Sequence, residues 1–205
     1  MAHHFESKQW ADASKILKRG VNLGIIENSF SPIESQETLK TIEDKFKGLR
    51  VRINTSLDWK DSLKRKIKSA GWPELPSYQQ FFCDLVENFS KLTETTELGF
   101  RFESVSSNMC VFLHVDHVRL RAIATLAGET TFWLPNEYAN RDGLMCQNDN
   151  LVMKKNAKVS QLPKGSVGLF KGSAWPANHD NAIIHKSPPF IPGSAIRLLL
   201  TLDTL

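Results

Sequence analysis

Residues 111–127 read Val111-Phe112-Leu113-His114-Val115-Asp116-His117-Val118-Arg119-Leu120-Arg121-Ala122-Ile123-Ala124-Thr125-Leu126-Ala127. Two apolar runs, 111–116 and 120–127, predict strands. Side chains two apart on a strand share a face. His114 and Asp116 therefore point one way, and Val115 and His117 the other. Just upstream, Phe100 and Phe102 alternate with Arg101 and Glu103. Downstream, short β-like runs recur at 130–134, 159–162, 167–170, 182–185 and 196–202, separated by turn signals such as Pro163-Lys164-Gly165 and Pro192-Gly193. Many short strands with turns between them predict a sandwich or barrel. The polar stretch 140–156 has no clear period and reads as a loop or lid beside it.

The upstream part has another character. Residues 1–98 read as a mostly helical part packing on the barrel of residues 99–205, the whole forming one structural unit. Trp10, Ala13, Ile16 and Leu17 repeat at helical spacing up to Gly20, as do Leu39, Ile42 and Phe46 up to Gly48, and Trp59, Leu63, Ile67 and Ala70 up to Gly71. Ser77 with Gln80 resembles a capping box opening a helix that carries Phe81, Phe82, Leu85 and Phe89. Residues 21–26 and the alternating 49–53 predict strands. His3 and His4, near the terminus, are expected to be frayed.

A chain of 205 residues, 41% hydrophobic, can bury a core without disulfides. Its three cysteines (Cys83, Cys110, Cys146) are odd in number and form no CxxC pair. This argues against a disulfide framework or zinc ribbon and for a reducing compartment. No apolar run is long enough to span a bilayer, and the first residues lack a signal-peptide layout. The expectation is a cytoplasmic protein without membrane contact. Much of the net charge of +4 lies in Lys60, Lys64, Arg65, Lys66 and Lys68. That run reads as a solvated helix face rather than a nucleic-acid surface. The expected partner is a small-molecule or peptide substrate of unspecified identity.

An imidazole and a carboxylate on one face make two legs of a metal site. The best third ligand is His185, which ends the apolar run Ala182-Ile183-Ile184. Two histidines and a carboxylate form the facial triad of non-haem Fe(II) enzymes. They also suit Zn(II) with one position open, as in a non-redox zinc-binding protein linked to metal homeostasis. Cys110, four residues before His114, would share that face on a regular strand and would favour zinc, or else be a small buried hydrophobe. A divalent metal acting as Lewis acid in a cupin-like isomerase or hydrolase would need a further acid or base, for which Glu129 is the candidate.

The order of features carries a resemblance. His114-Val115-Asp116 is followed by Ala127-Gly128-Glu129-Thr130-Thr131-Phe132, then Pro163-Lys164-Gly165, His185, Gly193 and Arg197. This looks like the double-stranded β-helix of Fe(II)- and 2-oxoglutarate-dependent dioxygenases of the prolyl 4-hydroxylase type. The phrases His114 to Arg121, Lys171-Gly172-Ser173-Ala174-Trp175-Pro176 and His185-Lys186-Ser187-Pro188-Pro189 resemble a bacterial family, the domain of unknown function 1826 family, across most of the chain. The resemblance implies an α+β fold: a jelly-roll, cupin-like double-stranded β-helix with N-terminal helices packed on it. It further implies Fe(II) on His114, Asp116 and His185, with Arg197, twelve residues past His185, anchoring the far carboxylate of 2-oxoglutarate. The chain departs from the dioxygenase pattern at Ala127, where a glycine is usual, and in the proline-rich segment 188–192.

The other conspicuous residues have two readings each. His117 points away from His114 unless a bulge turns it inward. Arg119 and Arg121 share the His117 face and serve either an anionic substrate or outer ion pairs. Trp133 and Trp175 flank the motif regions and either line the pocket or pack. His179 belongs to a polar loop.

Overall fold

The computed structural model describes residues 3–107, 109–192 and 196–205. Gly193, half of the expected Pro192-Gly193 turn, lies outside them, as do Met1 and Ala2. In chain order the elements are β1 (His4–Ser7), a 3-10 helix (Trp10–Leu17), β2 (Leu23–Ile26), α1 (Gln36–Lys45), β3 (Leu49–Asn54), α2 (Lys60–Ser69), α3 (Pro76–Thr93), β4 (Glu97–Val105), β5 (Leu120–Ala127) and β6 (Phe132–Leu134). Two short 3-10 turns precede α4 (Asp149–Val152), and β7 (Ser160–Gln161), β8 (Val167–Lys171), β9 (Ile184–Lys186) and β10 (Arg197–Thr204) follow.

The strands form a seven-stranded sheet, β1-β2-β8-β5-β10-β4-β3, and a three-stranded sheet, β7-β6-β9. Period-two alternation gives the large sheet two faces. Leu198, Leu200 and Leu202 of β10, with Phe100 and Phe102 of β4, join the main core under the helices. Leu199 of β10, Ile123 of β5, Phe170 of β8 and Leu23 and Ile25 of β2 point the other way, toward Trp133 of the small sheet. The barrel interior lies between the sheets. A third apolar cluster (Leu113, Leu134, Val152, Ile184) lies on the outer face of the small sheet.

The helices form where their stripes require. Ser35 Oγ accepts from the Thr38 N–H to cap α1. Pro76, whose fixed φ and missing N–H suit a first turn, starts α3. The expected Ser77–Gln80 capping box is not formed. The helix begins two residues earlier, with Leu75 in the N-cap position, and the Gln80 amide donates to Asp84 instead. Phe82 sits fully buried at the centre of a ring cluster with Trp72, Phe81, Phe100 and Phe102.

Residues 1–98 are not only a helical cover: β1, β2 and β3 supply both edges of the large sheet. His3 and His4 are not frayed. The Asn22 N–H donates to the His3 carbonyl, and His4 pairs with Leu23 while its ring packs on Trp133 at 4.9 Å. The stretch 140–156 holds α4 and a 3-10 turn (Arg141–Cys146) and covers the small sheet's outer face, with Val152 in that core. The basic run lies on α2, where Lys60 pairs with Glu87 and Lys68 with Glu74 on exposed side chains. Among the described residues no helix is long and apolar enough to cross a membrane.

Replacing Phe82 with alanine leaves a cavity among four rings. The expected loss is about 3–5 kcal/mol of unfolding free energy, measured by urea denaturation.

Candidate metal centre

Residues 111–116 do not form the expected strand. A single antiparallel bridge joins His114 to His185, the His114 N–H donating to the His185 carbonyl at 3.0 Å and the His185 N–H to the His114 carbonyl at 2.9 Å. Residues exchanging both bonds lie directly opposite with side chains on one face. The two imidazoles accordingly sit side by side, ring centroids 4.5 Å apart. Beyond the bridge the chain bends through 116–119, and the segment Lys171-Gly172-Ser173 is the reason. The Ser173 N–H donates to the Asp116 carbonyl at 2.9 Å and Ser173 Oγ to the same oxygen at 3.2 Å. A Cβ on Gly172 would lie 2.2 Å from the Val118 carbonyl oxygen and 2.8 Å from that of Asp116, so only glycine admits this approach.

Asp116 nevertheless reaches the histidines. Its Oδ1 lies 3.5 Å from His114 Nε2 and its Oδ2 3.2 Å from His185 Nε2. One ligand atom from each of His114, Asp116 and His185 falls within 4.8 Å of the others. Burial opposes charge on all three groups, and the balance differs at each. For His114 the hydrogen bonds with Asp116, the Cys110 thiol and the Phe112 carbonyl win, raising its pKa to about 10. His185 is buried against Phe170, and burial wins: its pKa is lowered. Asp116 is held below the usual carboxylate range by both imidazoles and by Arg121. A carboxylate beside a neutral imidazole and one whose proton a metal can displace is a donor set suited to a divalent ion.

The other expected residues divide. Arg121 does not share an outer face with His117. Its guanidinium is mostly buried and bonds Asp116 and Asp203, because β5 is regular from Leu120 while the chain before it bends. His117 is exposed, its Nδ1 3.1 Å from Ser173 Oγ, and stays out of the cluster. Cys110 is exposed rather than a buried hydrophobe, and it sits at φ 44° rather than on a strand. Its thiol still meets His114, whose hydrogen bond lowers the thiol pKa. Trp175 does not join the cluster. It packs on the main core between Arg119 and the buried Lys171, whose ammonium lies 5.0 Å from its ring centroid. His179 is exposed beside Asp180.

Arg197 opens β10 on the interior face. Gly128, at φ 81°, lets the chain pass so close that a Cβ would lie 2.9 Å from the Ile196 carbonyl oxygen. That brings the Glu129 carbonyl to Arg197 Nε at 2.9 Å, while the terminal nitrogens donate to Ser187 Oγ at 3.2 Å and Thr131 Oγ1 at 3.0 Å. Among the described residues no carboxylate pairs with it, and burial pushes its pKa down to about 10. A cavity of about 200 Å³ lies against Arg197, Ser187, Glu129, Phe190 and Val105. A larger cleft of about 500 Å³, between α3 and residues 26–31, contains none of these groups. Sequence reasoning did not find Asp203, Ser173, Thr131 or Ser187. Only the spacing of Ser187 two residues after His185, on the same face, was a usable signal.

Two sheets around one interior, with the His-Asp-His cluster at its edge, define a double-stranded β-helix. The fold is that of a rice dioxygenase for auxin oxidation (TM-score 0.50, 9% identity, covering 96% of this chain and 78% of that one). The chain is also similar to dioxygenase for auxin oxidation 1 from Arabidopsis thaliana in complex with 2-oxoglutarate (TM-score 0.49, 8% identity, 100% and 92% covered). A further similar structure is a Pseudomonas putida prolyl-4-hydroxylase (TM-score 0.38, 12% identity, 85% and 96% covered). No curated protein sequence matches. The chain belongs to the family of proteins of unknown function DUF1826, which it matches over residues 7–203.

Gly172→Ala is expected to cost about 1–3 kcal/mol, because backbone must shift at 116–118; thermal or urea unfolding reads it. Asp116 is held ionised in the folded state, so its contribution to stability is complete above about pH 4 and is lost as pH falls below that. Asp116 also holds the buried imidazoles' charge, so metal-free Asp116→Asn protein should lose more stability than the wild type between pH 7 and pH 5, where an unpartnered buried imidazole resists the proton that the unfolded chain takes up.

Proposed function

We propose that this protein is an Fe(II)- and 2-oxoglutarate-dependent oxygenase. The observation that carries the reading is Arg197: a buried guanidinium with no carboxylate partner among the described residues, held by neutral oxygens beside a cavity. It stands one same-face step from the histidine pair, since Ser187, which it contacts, follows His185 by two residues. A buried charge lacking a counter-ion is costly, and a planar guanidinium suits a carboxylate. The inner faces of the sheets also carry two buried polar atoms with no hydrogen-bond partner among the described residues, Thr125 Oγ1 and Trp133 Nε1. Such atoms are expected where a polar ligand completes the site.

In this reading His114, Asp116 and His185 hold Fe(II), and Arg197 with Thr131 and Ser187 receives the far carboxylate of 2-oxoglutarate. Iron with the oxoacid supplies the oxidation of a C–H bond by O2. The chain's part is placement. The backbone bridge fixes the imidazoles, Ser173 fixes the Asp116 backbone, and Phe170 and Trp133 exclude water from the interior. Cys110, which would favour zinc, meets His114 but stands outside the compact three-residue ligand group. Glu129, the candidate acid or base for Lewis-acid chemistry, is exposed and engaged by Gln161.

The test is an anaerobic titration of metal-free protein with Fe(II), then 2-oxoglutarate, following the visible charge-transfer band of the chelated oxoacid. The band should form in the wild type, be lost in Arg197→Ala with iron still bound, and be lost together with iron binding in His114→Ala. Iron binding without any band would overturn the oxygenase reading in favour of a non-redox metal protein.

A further inference from the structure

We infer that Arg121, itself held by Asp203, is a positioning residue that restricts Asp116 to binding metal through one oxygen. This rests on the reading of His114, Asp116 and His185 as metal ligands. Three observations carry it. First, the two carboxylate oxygens of Asp116 are not equivalent. Oδ2 accepts from Arg121 Nη1 at 2.5 Å and lies 3.2 Å from His185 Nε2, whereas Oδ1 has, among the described residues, only His114 Nε2, at 3.5 Å. Oδ1 is the oxygen left for an ion.

Second, Arg121 cannot easily follow Asp116 if that side chain turns. Its Nε and Nη2 grip both oxygens of Asp203 at 2.5 and 2.7 Å. Such a two-bond pair fixes the guanidinium plane as well as its position. Third, the clamp is built into the sheet. Arg121 on β5 and Asp203 on β10 are directly opposite in the antiparallel register, on the interior face. The last strand of the chain thereby reaches the metal centre without supplying a ligand.

The charges of the clamp cancel. Arg121 and Asp203 together add nothing to the net charge beside the ligands, which separates positioning from electrostatics. Exchanging both for amides, Arg121→Gln with Asp203→Asn, removes the clamp and leaves that net charge unchanged. A partner that orients a ligand is worth about 10- to 100-fold in metal affinity. A pair that merely stabilises the sheet would lower the unfolding temperature and leave the affinity alone.

The experiment measures Zn(II) affinity by chelator competition in the wild type, the double variant and Arg121→Lys, with folding checked by circular dichroism. The expected result is a Kd weakened about 10- to 100-fold in the double variant, and an intermediate value for Arg121→Lys, which keeps the charge on a single nitrogen but loses the planar fork. A crystal structure of the Zn(II)-loaded wild type gives a second reading that does not depend on any variant folding. Asp116 should contact the ion through Oδ1 alone, with Oδ2 still on Arg121. A folded double variant with wild-type affinity overturns the inference, as does a loaded structure with both Asp116 oxygens on the ion. A wild type that binds no Zn(II) and no Fe(II) overturns the metal site itself, and this inference with it.

Discussion

The pair of backbone hydrogen bonds between His114 and His185 is the constraint on which the candidate site depends. The residues belong to segments far apart in the chain, and neither is rigid alone: one lies in an irregular stretch, the other in a three-residue strand. Exchanging N–H and C=O in both directions fixes their distance and puts the imidazoles on one face. Ring contact at 4.5 Å follows from the geometry of an antiparallel pair. The small sheet inherits its place from the same pair, because β9 carries His185 and β6 pairs with β9 through Trp133.

Around that pair, irregular backbone does work that a regular strand could not. Had 111–121 been one continuous strand, Arg121 would have shared a face with His117 and turned from Asp116. The bend through 116–119, held by Ser173 and admitted by the missing side chain of Gly172, resets the alternation. Arg121 then rises on the interior face of β5, below the carboxylate it contacts. Gly128 performs a similar service for Arg197, allowing two chain segments to touch so that the Glu129 carbonyl caps the guanidinium.

These departures mark where the sequence was legible. Strands β5, β8 and β10 carry apolar or alternating runs through most of their length, and that pattern located them within about two residues. His114, Asp116 and His185 were readable because their spacing needs only same-face logic and one pairing. The order of motifs also singled out Arg197. The partners of Arg121 were not readable. Asp203 is a polar residue near the end of an apolar strand, and nothing local announces which residue it opposes. The contact depends on strand order and register, which periodicity does not encode. The terminal strand of His4 escaped for the same reason, since its stability comes from β2 and Trp133 rather than from its own four residues. Cys110 illustrates a different limit: its left-handed φ depends on what packs around it, and a residue type gives no warning of that.

Two buried cations show how the fold separates structure from chemistry. Lys171 is almost fully buried, and burial pushes its pKa down to about 8. It lies on the helix-facing side of β8, and it is satisfied locally: Nζ donates to the Lys18 carbonyl at 3.0 Å and sits over Trp175. A lysine can answer burial by shedding its proton, so the fold can keep it there as a strut. Arginine has no such exit at neutral pH, even when burial pulls its pKa down to about 10. Arg197 must stay charged in the interior with a carbonyl and two hydroxyls as its hydrogen-bond partners among the described residues. Arg121, only partly buried, is given two carboxylates. The same sheet thus gives one interior arginine two carboxylates, whereas the other has none among the described residues and borders the cavity.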